Sequence, residues 1–353
     1  MSMNVTEAQI AESIRTAVAR KAPLIVRGGG SKDFLGRRIE GDLLDISGLR
    51  GIVQYEPTEL VITARAGTPL AEVEAALAER GQMLGFEPPH FGSAATLGGT
   101  IACGLSGPAR PFRGAARDFV LGTKIINGRG EILRFGGEVM KNVAGYDVSR
   151  LMCGAYGTLG VLLEVSLKVL PRPAAEAFLA LELDAVVARG HMLEWQREPL
   201  PLAGLCYDGE CLHVRLAGAE RAVEAARRRV GGATDATGTG FWETLREQRS
   251  PFFTGSGELW RVSMPVAART PALGGRQLID WGGALHWLKT TAPADTLFAT
   301  AAAGGGHAMR FRGAQDGAVF QPLPATLLVL QRRLRLAFDP HRILNRGKLY
   351  PDL

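Results

Sequence analysis

Hydrophobic residues in the first half of the chain recur with two spacings, one helical and one extended. Ile10, Ile14 and Val18 follow Thr6 at helical spacing, and Gln9 completes a capping box, so an N-terminal helix is predicted. Short apolar runs bounded by glycine, proline or asparagine predict strands over residues 23–27, 42–46, 51–55, 60–66, 119–126, 131–135 and 160–170.

Three further features divide the chain. A helix is predicted after Thr68 as its N-cap, ending at Gly81, and residues 85–114 are predicted to be mostly irregular. The run Pro171-Arg172-Pro173 ends the long strand and marks a predicted domain boundary. Residues 1–172 are therefore predicted to form one domain and residues 175–325 a second, with strand–helix–strand units. A helix at 324–338 and its tail are predicted to return, as residues 326–353, to the first domain, which makes the fold class α+β.

Composition excludes several classes of protein. The 353 residues, with 22% charged and 46% hydrophobic, are typical of a soluble globular chain of about two folding units. The net charge of +6 is modest, and its densest run, Arg227-Arg228-Arg229, lies on a predicted amphipathic helix. Such a run is typical of a solvated face, so we expect no nucleic-acid partner.

Cysteine spacing and hydropathy argue against a metal site and a membrane-spanning segment. Cys103, Cys153, Cys206 and Cys211 lack the spacing of a zinc or iron–sulfur site, so we expect reduced structural thiols and no metal. The N-terminus does not resemble a signal peptide, and no apolar stretch approaches ~18 residues, the length needed to span a membrane. These features predict a cytoplasmic protein, which partner subunits could hold at the periphery of the inner membrane.

The first motif that carries chemistry is Gly28-Gly29-Gly30-Ser31, which follows a predicted strand ending at Arg27. Consecutive glycines let the backbone turn tightly and direct several N–H groups at one anion, and a diphosphate is a natural guest. A flexible turn would give the same sequence, and neither G-x-G-x-x-G nor the phosphate-loop motif of nucleotide-hydrolysing proteins occurs in the chain.

Residues 88–118 form the second motif, in which small residues alternate with apolar ones. The apolar residues argue against disorder, and a loop this long in a patterned domain indicates function. Glycines and alanine would let a large flat ring lie against the backbone, while hydroxyls could bind its polar edge. The residues concerned are Ser93, Thr96, Gly98, Gly99, Ala102, Gly104 and Ser106.

The third motif is Lys141-Asn142-Val143-Ala144-Gly145-Tyr146-Asp147, followed by Gly160 and Val161 at the start of a buried strand. A helix start near Tyr146 and Asp147 is the simpler interpretation of its first part. Backbone groups at Gly160 and Val161 could meet an adenine edge.

Taken in order, these motifs resemble the FAD-binding domain of the vanillyl-alcohol-oxidase (PCMH-type) family. The matching segments are RGGGS, ATLGGTIA, LSGPARPFRGAARDFVLG, GGEVMKNVAGYD and GTLGVLLEVSLKVLP. Within the family, the smaller flavin subunits of bacterial glycolate oxidases are most similar, and the tail Ile343-Leu344-Asn345-Arg346-Gly347-Lys348 agrees, although Arg346 stands where the family more often has proline. The resemblance implies a two-lobed PCMH-type FAD-binding domain followed by an α+β cap domain.

The resemblance also implies which residues hold FAD. Residues 27–31 would hold the pyrophosphate, the second motif would line the pyrophosphate and isoalloxazine, and the start of the buried strand would contact the adenosine. The implied set is Arg27, Gly28, Gly29, Gly30, Ser31, Ser93, Thr96, Leu97, Gly98, Gly99, Ala102, Gly104, Ser106, Gly160 and Val161. Relatives with covalent flavin often carry histidine at the position of Ser31, so non-covalent FAD is expected here.

For the reaction, the resemblance implies oxidation of glycolate to glyoxylate. The implied partners are a larger homologous FAD subunit and an iron–sulfur subunit. The six histidines are dispersed and form no metal motif, and His307 with Arg310 is the best candidate for a base and a carboxylate clamp; an ordinary loop histidine is the alternative. Two other functions stay open: a structural partner with a vestigial flavin site, and a free-standing oxidase of alcohols or 2-hydroxy acids.

Overall fold

The structure, a computed structural model, describes residues 5–137, 146–235, 238–268 and 275–353. Its helices are α1 (Glu7–Arg20), α2 (Leu70–Ala78), α3 (Leu97–Cys103), α4 (Arg110–Arg113), α5 (Ala116–Phe119), α6 (Val148–Met152), α7 (Ala185–Trp195), α8 (Glu220–Val230), α9 (Gly238–Arg246), α10 (Pro251–Thr254), α11 (Ala294–Ala303) and α12 (Ala325–Phe338). A short 3-10 helix covers Trp281–Gly283.

The strands of the first half are β1 (Leu24–Arg27), β2 (Asp42–Asp45), β3 (Ile52–Glu56), β4 (Val61–Arg65), β5 (Gln82–Met83), β6 (Val120–Ile126), β7 (Ile132–Gly136), β8 (Val161–Lys168) and β9 (Leu170–Pro171). Those of the second half are β10 (Ala175–Glu182), β11 (Leu202–Tyr207), β12 (Cys211–Gly218), β13 (Ala233–Thr234), β14 (Leu259–Ser263), β15 (Arg276–Asp280), β16 (Leu285–Lys289) and β17 (His307–Arg312).

Both large sheets are antiparallel. One has five strands in the order β3-β4-β8-β6-β7, and the other has eight in the order β13-β10-β12-β11-β15-β16-β14-β17. Strands β1 and β2 form a separate parallel pair. Antiparallel sheets with helices packed on them define an α+β fold, which confirms the predicted class, whereas a doubly wound dinucleotide fold requires a mostly parallel sheet.

The chain divides into two compact units. The first, called the FAD unit below, comprises Met1–Leu105, Ala115–Pro171 and Leu323–Leu353; the second, the cap unit, comprises Ser106–Gly114 and Arg172–Pro322. The domain bounds predicted from sequence, 1–172, 175–325 and 326–353, differ from these units chiefly in one respect. Ser106–Gly114, which carries part of the second glycine-rich motif, belongs to the cap unit.

Local signals account well for the start of the FAD unit. The capping box is confirmed: the Thr6 hydroxyl accepts a hydrogen bond from the Gln9 N–H (3.2 Å), and the Gln9 side chain accepts one from the Thr6 N–H (2.8 Å). Ile10 and Ile14 of α1 are fully buried in the core of this unit. The predicted hairpin is confirmed as β6 and β7.

One local prediction is wrong. Thr68 does not cap α2, whose N-cap is Pro69; the buried Thr68 hydroxyl instead accepts a hydrogen bond from the Gly51 N–H at 2.9 Å. Residues 85–114 are mostly irregular, as predicted, but the short helices α3 and α4 lie within them. Asp147 caps α6 by accepting from the Arg150 N–H, as its motif predicted, but residues 141–145 of that motif lie outside the described residues.

The C-terminal tail is built into the FAD unit. Leu344 forms a parallel bridge with Leu24 of β1, and the Leu24 N–H donates to the Ile343 carbonyl at 2.7 Å. Arg335 and Asp339, both buried, form an ion pair at 3.0 Å where α12 ends. The Asp339 carboxylate also accepts the N–H groups of Ile343 and Leu344, which fixes the path of the tail.

The cap unit buries two apolar clusters against its eight-stranded sheet. The first includes Trp195 and Leu205, and the second includes Trp260 and Phe298 of α11. Trp287 packs its ring edge-on against Phe311 within this unit. Arg227, Arg228 and Arg229 of α8 form exposed ion pairs with glutamates, which agrees with a solvated face. Among the described residues, no helix has both the length and the apolar character needed to cross a bilayer.

Candidate FAD-binding site

The glycine loop, residues 28–31, follows β1 directly and turns through a left-handed conformation at Gly30 (φ 74°). The backbone N–H groups of Gly28, Gly29, Gly30 and Ser31 donate no hydrogen bond to any acceptor in the described part of the chain. Four successive N–H groups without an acceptor in one tight turn form a concave site for an anion. The arrangement fits the diphosphate that the sequence motif predicts.

The loop lies directly against the second motif. A Cβ on Gly29 would lie 1.5 Å from the Ala94 carbonyl oxygen, and one on Gly28 would lie 2.4 Å from the Thr96 hydroxyl. Glycine is therefore required at residue 29, where the obstructing atom is backbone, and favoured at residue 28, where it is a side-chain hydroxyl. Beside the loop, Arg27 forms an ion pair with Asp33 at 2.8 Å.

The second motif supplies fewer backbone donors than its glycines suggest. Thr96 caps α3, and its hydroxyl accepts the Gly99 N–H at 3.2 Å. The Leu97 N–H donates to the Thr68 carbonyl, and the Gly98 N–H donates to the Ala66 carbonyl at 2.7 Å. The N–H groups at the start of α3 are thus already bonded within the protein. Any contact that Gly98 or Gly99 makes with FAD must use other atoms.

Packing explains two glycines and one leucine of the predicted set. A Cβ on Gly98 would lie 2.6 Å from the Ala66 Cβ, and one on Gly104, which ends α3 at φ 63°, would lie 3.0 Å from Gly154. Leu97 is fully buried in the core. Ser93 is exposed, Ala102 is half-buried, and Ser106 belongs to the cap unit.

The predicted adenosine contacts lie at the buried start of β8. Val161 is fully buried, and a Cβ on Gly160 would lie 3.0 Å from Ile125 Cδ1 and 3.1 Å from the Ile126 carbonyl. Glycine is thus favoured here by the neighbouring strand β6. A direct contact between Gly160 or Val161 and adenosine stays a prediction.

Asn345 connects the two ends of the predicted site, and sequence analysis missed its role. Its side-chain oxygen accepts the Val26 N–H (2.8 Å), and its amide nitrogen donates to the Tyr156 carbonyl (2.7 Å). Val26 precedes the glycine loop by one residue, and Tyr156 precedes the segment that leads to Gly160. The available sequence signal was an asparagine, a residue that tolerates positive φ (42° here), within a tail that the resemblance already covered.

Two lysines act on the thiol of Cys103, at the end of α3. Burial raises the pKa of Cys103 to about 11, and the positive charges of Lys32 and Lys348 oppose that rise. The Lys32 ammonium is buried and donates to the His90 carbonyl at 3.2 Å, and burial lowers the pKa of Lys348. The Cys103 thiol therefore stays protonated at neutral pH, and two cationic groups lie near the loop that the resemblance assigns to the flavin.

The predicted catalytic pair lies in the cap unit, on strand β17. His307 pairs with Ser263 and Arg310 pairs with Trp260 of β14, so the two side chains leave opposite faces of the sheet. Arg310 forms an ion pair with Glu258 at 3.0 Å and lies over the Trp260 ring. This placement does not favour their joint action on one substrate, and their catalytic role stays a prediction.

Comparison with known proteins identifies the family. Over 342 residues, 97% of each chain, the sequence is 53% identical to a protein of Escherichia coli K12 called glycolate oxidase subunit GlcE. The chain belongs to the family of that subunit. Residues 5–136 match the FAD binding domain family, which makes FAD the cofactor and the chain a FAD-dependent oxidoreductase subunit acting on CH–OH groups.

More distant relatives match about half of the chain. Glycolate oxidase subunit GlcD of Bacillus subtilis is 30% identical over 175 residues, which cover 48% of this chain and 37% of that protein. D-2-hydroxyglutarate dehydrogenase of Xanthomonas citri pv. viticola is 30% identical over 168 residues, or 47% and 35% of the two chains.

Solved structures agree in fold. An alkyldihydroxyacetonephosphate synthase superposes with a TM-score of 0.68 at 16% identity, over 96% of this chain and 75% of that one. The 6-hydroxy-D-nicotine oxidase of Arthrobacter nicotinovorans superposes with a TM-score of 0.63 at 17% identity, over 98% and 90% of the two chains. Together with the match to the FAD binding domain family and the 53% identity to GlcE, these neighbours confirm the predicted PCMH-type fold.

Proposed function

We propose that this chain is the FAD-carrying subunit of a glycolate oxidase complex and supports the oxidation of glycolate to glyoxylate. The observation that carries the proposal is 53% identity along almost the whole length of a glycolate oxidase subunit. The four N–H groups of the glycine loop support it, because they have no acceptor in the described residues and suit an anion. When bound, FAD supplies the acceptor for the two electrons removed from the alcohol.

The protein's contribution at this site is to bind and orient. The N–H groups of residues 28–31 would hold the pyrophosphate, and Lys32 and Lys348 would place positive charge near the flavin loop. Asn345 would hold the glycine loop and the segment after Tyr156 at a fixed separation.

FAD is proposed to bind without a covalent bond. A bond from protein to flavin requires a nucleophile. The position at which covalent relatives often carry histidine is Ser31, whose alcohol is a weak nucleophile without an activating base, and the Cys103 thiol stays protonated because burial raises its pKa to about 11. Acid precipitation should therefore leave a yellow supernatant and a colourless pellet, and a yellow pellet would contradict non-covalent binding.

The proposed partners are a larger homologous FAD subunit and an iron–sulfur subunit, and through them the chain would lie at the periphery of the inner membrane. Two observations support these partners. The relative GlcE is itself a subunit of glycolate oxidase, and about half of this chain is 30% identical to a second such subunit, GlcD. A tagged chain purified from its host should bring down both partners, with flavin and iron in stoichiometric amounts.

The proposed function is tested by reconstitution. The pure chain should hold FAD but oxidise glycolate or D-lactate negligibly with an artificial electron acceptor. Activity should appear when the larger flavin subunit and the iron–sulfur subunit are added, and it should be lost when this chain is left out. Robust turnover by the chain alone would refute the role of a dependent subunit.

A further inference from the structure

The face of the cap sheet that carries His307 also carries a cation, but that cation is Arg261. In the antiparallel pair of β14 and β17, Ser263 is opposite His307 and Arg261 is opposite Met309. Opposed residues project on the same side, and residues two apart on a strand do so as well. Arg261 and His307 therefore share one face, and Arg310 lies on the other, over the Trp260 ring.

Trp281 brings a second arginine to this face. The Arg110 guanidinium lies 4.4 Å from the centre of the Trp281 ring, and the Arg261 guanidinium lies 4.9 Å from the same centre. All three residues belong to the cap unit, because Arg110 lies in Ser106–Gly114. Guanidinium groups stack well on indole, so the Trp281 ring contacts two permanent cations.

The Trp281 ring is itself held in place. Its indole N–H donates to the Gly107 carbonyl at 3.0 Å, and its backbone N–H donates to the Asp280 carboxylate at 2.7 Å. The residue is 4% exposed and has a positive φ of 53°, which is uncommon for a bulky side chain and is often found at functional sites.

His307 lies within the field of both arginines. Desolvation, together with the charges of Arg261 and Arg110, lowers the pKa of His307, so its imidazole is neutral at pH 7. A neutral imidazole has a nitrogen that accepts hydrogen bonds, whereas both guanidinium groups only donate. The cluster thus combines donors suited to a carboxylate with one acceptor suited to a hydroxyl.

We propose that Arg110, Arg261 and His307 form a binding site for a small 2-hydroxy carboxylate. In this site the two guanidinium groups bind the carboxylate, and the His307 imidazole accepts a hydrogen bond from the neighbouring hydroxyl. The choice of a 2-hydroxy acid rests on the proposed function, while the carboxylate site itself rests on the cluster. The site gives this chain its own place for substrate, beyond binding FAD.

The direct test uses the full FAD-loaded chain and oxalate, a carboxylate that cannot be oxidised as an alcohol. Isothermal titration calorimetry should detect binding, and Arg261→Gln or Arg110→Gln should raise Kd by roughly 10- to 150-fold, the loss of a charge-assisted hydrogen bond of about 1.5–3 kcal/mol. Arg261→Lys should give an intermediate value, because it keeps the charge and loses the planar donor pair.

Arg228→Gln is the matched control, since it removes one charge from an exposed position on α8 and should leave Kd unchanged. Melting temperature and flavin content of every variant exclude misfolding as the cause. The proposal is overturned if the wild-type chain binds no oxalate, if the Arg261 and Arg110 variants bind it as wild type does, or if Arg310→Gln alone abolishes binding.

A second readout separates this proposal from the proposed function. In the reconstituted complex, Arg261→Gln should raise the KM for glycolate more than it lowers kcat. If the complex does not oxidise glycolate but arginine-dependent oxalate binding persists, the proposed function fails and the carboxylate site stands. If the complex oxidises glycolate with wild-type KM in both arginine variants, the carboxylate site fails alone.

Discussion

Replacing Gly29 by alanine adds one methyl group where the glycine loop touches the backbone of the second motif. The new Cβ would lie 1.5 Å from the Ala94 carbonyl oxygen, whereas real Cβ atoms essentially never come within 3.0 Å of such an atom. The loop and residue 94 must therefore separate by about 1.5 Å or more. Overpacking of this kind costs about 1–3 kcal/mol, and the strain is relieved if the loop moves outward and its N–H groups lose their alignment.

The expected result is weaker binding of FAD by about 5- to 150-fold, which is that strain expressed as a change in Kd. Fluorescence titration of the flavin-free chain measures Kd, and thermal melting shows whether the variant is folded. Gly137→Ala is the matched control in the same unit, because a Cβ there would meet nothing within 4 Å. A folded Gly29→Ala variant that binds FAD as tightly as wild type would refute the assignment of the pyrophosphate to residues 28–31.

Three further predictions concern stability. His286 is 1% exposed, and burial, followed by the charge of Arg189, lowers its pKa to about 4. The pKa of His286 in the unfolded chain is near 6.5, so the stability that depends on its neutral imidazole is fully present above pH 6.5. That stability falls by up to about 3 kcal/mol as the pH drops toward 4. Urea unfolding of His286→Gln should therefore show a flatter pH dependence than the wild type. Asn345→Ala should lower the free energy of unfolding by about 2–4 kcal/mol and weaken FAD binding, because two backbone groups lose their partners; unchanged urea midpoints would contradict this. Asp339→Asn should lower the free energy of unfolding by about 3–5 kcal/mol, because Arg335 is left buried without its counter-charge. Adding Arg335→Met should recover part of that loss in the same urea assay.

Elements that depend only on residues close in sequence were predicted correctly. The capping box of Thr6 and Gln9 needs only four residues, and the hairpin of β6 and β7 needs only its turn and two apolar runs. Sequence reasoning failed at Thr68. Threonine is a suitable residue for an N-cap, but the Thr68 hydroxyl accepts a hydrogen bond from the Gly51 N–H, seventeen residues away. Sequence reasoning also missed α3, because two glycines disfavour a helix that close packing against Ala66 nevertheless permits.

The grouping of Arg261 with His307 could not be predicted in the same way. The sequence shows that His307 and Arg310 are three residues apart, and that spacing made them a plausible pair. Within strand β17 the odd separation places them on opposite faces, and only the register between β14 and β17 places Arg261 on the face of His307. Register is a non-local property, so a residue 46 positions away along the chain was invisible as a partner.

The abundance of glycine in both FAD motifs does not by itself show that the flavin site is intact. Gly29 and Gly98 are required by packing within the protein, because a Cβ would lie 1.5 Å from the Ala94 carbonyl oxygen at Gly29 and 2.6 Å from the Ala66 Cβ at Gly98. A protein that had lost its flavin would still need both glycines to fold. What distinguishes an intact site from a vestigial one is the state of the backbone donors. The first-turn donors of α3 are occupied by Thr68, Ala66 and Thr96, whereas those of residues 28–31 have no acceptor in the described residues. Residues 28–31 are half-buried, so their four N–H groups can be satisfied by water or by an anion, and a diphosphate would satisfy them together.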